Sequence, residues 1–247
     1  MTDSPQQQIR KIWKNFWTRI WKLRQQGKNQ RRLRSLIAKP SELSCTSCLE
    51  LGGIGFLSRT LENPPKENIA QVKRVFRYIS GTINVGIVYR KQKKGILECY
   101  SDADFGGCTK TGRSTSGIII MFASGAISWK IQRQAMVAIS TTEAEIVAAN
   151  EAAKEIIWLK RLFQEIDRLD RAPILQVDNT AAMLAQNPEF HRWTKHIANK
   201  HFFIRERIAE GEFGIEQIPT EEQLADMMTK PILNTRLRIL CNKIGLF

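Results

Sequence analysis

The chain has 247 residues, 43% hydrophobic and 25% charged, the balance of a globular protein with a sizeable core in one large or two small domains. No apolar run reaches the ~18–20 residues that span a bilayer, and the first residues lack the apolar core of a secretory signal. An intracellular protein of cytoplasm or nucleus is therefore expected. The net charge of +14 is uneven: residues 1–41 hold eleven Lys or Arg against one acid, Asp3, and the remainder holds 27 basic against 23 acidic residues. The charge sits at the front, so two regions with different jobs are expected. Five cysteines, an odd number, fit a reducing compartment. Cys45 and Cys48 form a CxxC, but no second Cys/His pair lies near enough in sequence to complete a zinc site.

Residues 6–24 read as an amphipathic helix. Ile9, Ile12, Trp13, Phe16, Trp17, Ile20 and Trp21 line one face, and Arg10, Lys11, Lys14, Arg19 and Lys22 fill much of the rest. Three readings stay open: a helix that docks on the body, a membrane-surface or targeting helix, or a nucleic-acid-binding arm. A connector from Pro40 to Gly55 follows. Ile69, Val72, Val75, Phe76 and Ile79 mark a helix stopped by Gly81, and a short strand, Val85 to Tyr89, comes next.

From there the pattern becomes α/β. Strands are expected at Ile96–Asp102, Gly117–Phe122 and Ala126–Lys130, the last two joined by a hairpin turn at Ser124-Gly125. A long helix from Ser140 to Asp167, a strand at Ile174–Asp178, a short helix after Asn179 and a helix from Thr194 to Glu210 follow. A fifth strand, Gly214–Ile218, precedes a helical stretch from Thr220 to about Lys243. Three antiparallel strands followed by crossovers imply a mixed five-stranded sheet with helices on both faces.

Four acids stand where such a sheet presents its chemistry. Asp102 and Asp178 end strands, Glu145 lies in the first turns of the long helix, and Asp226 is expected in the second turn of the helix after the fifth strand. Sites in open α/β sheets gather at strand ends. Converging carboxylates repel unless cations neutralise them, and hard oxygen ligands suit Mg²⁺ or Mn²⁺. Two such ions form a nuclease device. Each acid also has a bland reading: Asp102 ends a strand before Gly106-Gly107, Asp178 caps a helix, and Asp226 is solvated. Glu145 is the most informative. The stripe Ala149, Ala152, Ile156, Leu159, Phe163, Ile166, extended back by four, reaches it, and a carboxylate on a buried face is costly without a partner. Glu143 lies ~200° away round the helix and completes a Ser140-x-x-Glu143 capping box.

Tyr100-Ser-Asp102-Ala-Asp104-Phe-Gly106, Gly112-Arg-Ser-Thr-Ser-Gly117, Ser128-Trp-Lys130, Ser140-Thr-Thr-Glu143-Ala-Glu145, Val177-Asp-Asn-Thr-Ala181, Thr194-Lys-His-Ile197, Phe203-Ile-Arg-Glu206 and Leu224-Ala-Asp226-Met-Met-Thr-Lys-Pro231 occur in order. Together they resemble the ribonuclease H domain of copia-type retrotransposon Pol polyproteins. Upstream, Leu57-Ser-Arg59, Asn63-Pro64 and the run from Val72 to Thr82 resemble the end of the reverse transcriptase that precedes this domain. The resemblance begins near residue 53, and the polymerase palm is missing, so a truncated or rearranged reading frame is expected. It divides the chain into a basic N-terminal extension and linker (1–52), a reverse transcriptase remnant (53–90) and a ribonuclease H-like domain (91–247).

The resemblance implies that Asp102, Glu145, Asp178 and Asp226 bind two Mg²⁺ or Mn²⁺ ions, with Asp104 at most an outer helper. The resemblance also implies a metal-dependent endoribonuclease that hydrolyses the RNA strand of RNA–DNA hybrids, the 2′-hydroxyl marking the RNA. Lys195, His196, Lys200, Arg205 and Lys230 are candidates to grip nucleic acid. Ile146 and Phe105 depart from the aromatic and the Trp common at their positions, which touches packing and not the four acids. The competing expectation is a catalytically impaired remnant that only binds nucleic acid, helped by the basic arm.

Overall fold

The computed structural model describes residues 66–81, 85–89, 95–166, 169, 171–178 and 195–246. The expected amphipathic helix at 6–24, the Cys45/Cys48 pair and the short helix after Asn179 lie outside the described residues. The chain divides into two compact units, Met1–Val85 and Gly86–Phe247. In the first, helix α1 (Lys66–Gly81) buries Val72, Val75 and Phe76 along one face, as their spacing requires. Among the described residues no helix is long and apolar enough to cross a membrane.

The second unit is built on a mixed sheet of β1 (Glu98–Asp104), β2 (Thr115–Phe122), β3 (Gly125–Arg133), β4 (Ile174–Val177) and β5 (Gly214–Gln217). The strand order is β3-β2-β1-β4-β5. The first three strands pair antiparallel; β4 runs parallel to β1, and β5 parallel to β4. The tight β2–β3 connection uses Ala123 and Ser124, both left-handed with φ of 52° and 62°, the conformation a two-residue hairpin favours. The turn thus falls one residue earlier than Ser124-Gly125. Gly125 serves packing instead: a Cβ there would stand 2.7 Å from the ring of Tyr89, whose hydroxyl donates to the carbonyl of Ala126 at 2.8 Å. Among the described residues, the segment expected as a strand at Val85–Tyr89 forms one bridge, Ile87 to Leu246, beside a bond from the Val88 N–H to the Gly245 carbonyl.

Helix α2 (Thr141–Ile166) starts at a capped end. The Glu143 N–H donates to Ser140 Oγ at 3.2 Å, and Glu143 Oε2 accepts from the Ile139 N–H at 3.0 Å. This is the expected cap, reaching one residue further back than a regular capping box. Its apolar stripe, Ala149, Ala152, Ile156 and Leu159, packs on Leu97, Cys99, Ile118 and Ile120 of the sheet region. Helix α3 (Lys195–Ala209) lies against α2, where Asn150 Nδ2 donates to the Lys200 carbonyl at 3.2 Å.

The stretch expected as one helix from Thr220 to Lys243 is broken in three: a 3₁₀ turn (Thr220–Glu222), α4 (Asp226–Thr229) and α5 (Asn234–Lys243). Pro231 is one cause. It disfavours helical geometry at the residue before it, and Lys230 is extended with φ −120° and ψ 146°. Adjacent residues on a strand face opposite ways, so Ile118 enters the core under α2 while Gly117 faces α4. A Cβ on Gly117 would meet Thr229 Cγ2 at 2.7 Å, Met228 Cβ at 2.8 Å and the Ala225 carbonyl at 3.1 Å. Gly117→Ala should therefore destabilise the protein by roughly 1–3 kcal/mol through overpacking, measured by urea denaturation. A neutral effect would show that α4 can lift off the sheet at little cost.

Candidate active site

Asp102 lies on β1 directly opposite Gly117 of β2. The missing side chain at Gly117 lets α4 approach β2 and brings Asp226, Thr229 and Lys230 to Asp102. Gln223 fixes the approach. It is buried, its Nε2 donates to the Ser101 carbonyl at 3.0 Å, and its Oε1 accepts from the Ala225 N–H at 3.1 Å. One amide thus ties together the residues immediately before Asp102 and Asp226. Asp226 is the first residue of α4, not a second-turn residue, because the helix starts only after Gln223 has made this link.

The two acids share a cation. Lys230 Nζ stands 2.9 Å from Asp102 Oδ1 and 2.8 Å from Asp226 Oδ1. The outer oxygens have their own donors: Thr229 Oγ1 donates to Asp102 Oδ2, and Arg236 Nη2 donates to Asp226 Oδ2 at 2.6 Å. The acid side chains are 1% and 2% exposed, whereas Lys230 is 42% exposed. Burial works against the Lys230 ammonium, but hydrogen bonds and charge from Asp226 and Asp102 outweigh it and hold its pKa above the ordinary lysine value. Burial raises the pKa of Asp226, with Asp102 adding to the rise and Lys230 opposing it.

Glu145 reaches the same end of the sheet from α2. Its Oε1 accepts from the Ala103 N–H at 3.3 Å. Burial, then the charge of Asp102 and to a smaller degree Asp178, push its pKa up to about 8, against the Ala103 hydrogen bond and Lys230. Asp178 follows β4 immediately and is half-buried. So Asp102 and Asp226 are bridged, and Glu145 is coupled electrostatically to Asp102 and Asp178. Among the described residues, no group of three or more His, Cys, Asp or Glu side chains is arranged so that it could hold a metal ion as it stands. Asp104 accepts from the Gly107 N–H at 2.6 Å in an exposed turn.

Of the residues expected to grip nucleic acid, Lys195 and His196 open α3, and Lys200 and Arg205 follow on it, both half-buried. Lys230 is held between the two acids. Gln223, Thr229 and Arg236 were not anticipated as part of the site. Gln223 and Thr229 flank Asp226 within three residues, the one signal that pointed to them, whereas Arg236 arrives from another helix.

No protein-family model matches the chain. It is 37% identical over 194 residues to the retrovirus-related Pol polyprotein from transposon TNT 1-94 of Nicotiana tabacum, covering 78% of this chain and 14% of that protein. It is also 37% identical over 191 residues to the Pol polyprotein from transposon RE1 of Arabidopsis thaliana, covering 76% of this chain and 13% of that protein. Over about three quarters of its length the chain is homologous to retrovirus-related Pol polyproteins of copia-type transposons. It spans about one seventh of the length of the Pol polyproteins it matches, 14% and 13%. A solved structure of LC11-RNase H1 in complex with an RNA/DNA hybrid aligns with a TM-score of 0.42 and 15% identity, covering 57% of this chain and 99% of that one. The mixed five-stranded sheet, in the order β3-β2-β1-β4-β5 with helices on both faces, is the arrangement expected from the sequence.

Two outcomes follow from the geometry. Gln223→Ala removes both ends of the amide link and leaves a buried carbonyl and N–H unpaired, which should cost roughly 1–3 kcal/mol of stability for each group, measured by urea denaturation; a loss near zero would mean that the link does not hold α4. Glu145 binds its proton more tightly folded than unfolded. Folding therefore takes up protons between pH 4.5 and about 8, and this group's contribution to stability is lost as pH rises through that window. Without divalent cations, Glu145→Gln should become steadily more stable relative to the parent protein from pH 5 to pH 8.5. A constant difference, measured by urea denaturation, would show that Glu145 is not buried against other acids.

Proposed function

We propose that the second unit is an endoribonuclease that hydrolyses the RNA strand of RNA–DNA hybrids with the help of Mg²⁺ or Mn²⁺. The observation that carries this reading is the Asp102–Lys230–Asp226 bridge: two buried carboxylates on different elements each turn one oxygen to a single positive charge at 2.9 and 2.8 Å. A place that gathers positive charge between carboxylates, with a third acid held up to about pKa 8 beside it, fits a hard divalent cation. Asp102, Asp226 and Glu145 would hold such a cation, with Asp178 completing the set for two. When bound, two such ions activate water and stabilise charge on the phosphate and the leaving oxygen.

The rest of the chemistry belongs to the chain. The sheet supplies a rigid base for Asp102, and the Gln223 link keeps Asp226 in register with it. Lys195, His196, Lys200 and Arg205 share one helix, α3, and would follow a phosphate backbone. Contacts to the 2′-hydroxyl would select the RNA strand. Similarity to Pol polyproteins over three quarters of the chain supports a nucleic-acid substrate.

The test is digestion of an end-labelled RNA–DNA hybrid with Mg²⁺ present or chelated. Cleavage should need the cation. Asp102→Asn, Glu145→Gln, Asp178→Asn and Asp226→Asn should each slow it by about 100-fold or more, equivalent to ~2.7 kcal/mol of barrier. Glu143→Ala should cost only stability, roughly 0.5–2 kcal/mol from the lost cap. Hybrid binding with no cleavage by the parent protein would favour the impaired remnant instead.

A further inference from the structure

The four carboxylate oxygens of Asp102 and Asp226 are divided in a regular way. Both Oδ1 atoms face Lys230 Nζ, at 2.9 and 2.8 Å. Both Oδ2 atoms face donors of the protein itself: Thr229 Oγ1 for Asp102, and Arg236 Nη2, at 2.6 Å, for Asp226. Arg236 comes from α5 and is anchored a second time through the same Nη2, which also donates to the Thr220 carbonyl in the 3₁₀ turn. An Arg tied to two elements and to one oxygen of the acid prevents the carboxylate from rotating both oxygens toward one cation. Thr229, sitting on Gly117 of β2, does the same for Asp102.

We infer that Arg236 and Thr229 are positioning residues that restrict Asp226 and Asp102 to one-oxygen ligation and so favour Mg²⁺ over Ca²⁺ at the site. The inference rests on the metal-dependent reading above. Its physical basis is the different demand of the two cations. Mg²⁺ is small and requires near-octahedral coordination by single oxygens at short distance, whereas Ca²⁺ is larger, takes more oxygens and readily accepts a carboxylate by both. Releasing Oδ2 of either acid frees it for two-oxygen ligation, which suits Ca²⁺ and widens the site for Mg²⁺. The role is one of selectivity, distinct from the general loss of affinity that a loosened fold would bring.

The experiment is isothermal titration of the full chain with Mg²⁺ alone and with Ca²⁺ alone, with no nucleic acid present. In Arg236→Met the ratio of Mg²⁺ to Ca²⁺ affinity should fall by about tenfold, ~1.4 kcal/mol by conversion, through weaker Mg²⁺ binding with Ca²⁺ binding held or strengthened. Thr229→Val should move the ratio in the same direction, and Arg236→Lys, which keeps a cationic donor, should restore part of it. Circular dichroism of each variant reports folding; if Arg236→Met does not fold, Thr229→Val and Arg236→Lys carry the comparison. Equal loss of both affinities, or an unchanged ratio in folded variants, would overturn the inference while leaving the metal-dependent reading intact. A parent protein that binds neither cation would overturn both.

Discussion

Two nearly buried carboxylates on separate elements need a positive charge between them, and Lys230 provides it. Without that charge Asp102 and Asp226 would repel each other in a site of low exposure, where an uncompensated charge is expensive. The bridge therefore constrains what surrounds it. α4 must lie close against the sheet, so β2 carries Gly117 where any side chain would collide with Thr229 and Met228. The approach must keep register, so Gln223 links the Ser101 carbonyl with the Ala225 N–H. The lysine must turn back toward β1, and the extended backbone that Pro231 imposes on Lys230 takes it out of the helix.

The same arrangement explains why the site is electrostatically tense. Arg236 and Lys230 together satisfy Asp226, and Thr229 and Lys230 satisfy Asp102. Glu145 is buried beside the negative charge of Asp102 and, to a smaller degree, Asp178, and the Ala103 N–H only partly offsets this, so its pKa is pushed up to about 8. A divalent cation at this cluster would displace the Glu145 proton and relieve the repulsion among the acids as well as forming contacts. On the proposed metal-dependent reading, affinity for a cation and stability of the fold would be coupled through the same few side chains.

Much of this was legible in the sequence where periodicity and caps dominate. The strand pattern, the stripe of α2 and the separate positions of Glu143 and Glu145 follow from spacing alone, and the structure puts Glu143 in the cap and Glu145 at Ala103. The breaks came where tertiary contacts override local pattern. The run from Thr220 to Lys243 has helical composition, yet Gln223 leaves the helix to bond β1, and Pro231 ends α4. The β2–β3 turn moved to Ala123-Ser124 because Gly125 is needed beside Tyr89. Lys230 reads as a surface cation, and only the fold brings it between two acids. Arg236 was invisible for the same reason: ten residues and a helix break separate it from Asp226.

The most direct measurement is the anomalous scattering of Mn²⁺ soaked into crystals of the protein. The account predicts a Mn²⁺ peak about 2.0–2.2 Å from Oδ1 of both Asp102 and Asp226, with the Lys230 ammonium turned away toward solvent. Crystals that show Lys230 still bridging the two acids and no Mn²⁺ beside them, at a concentration that supports hybrid cleavage, would contradict it.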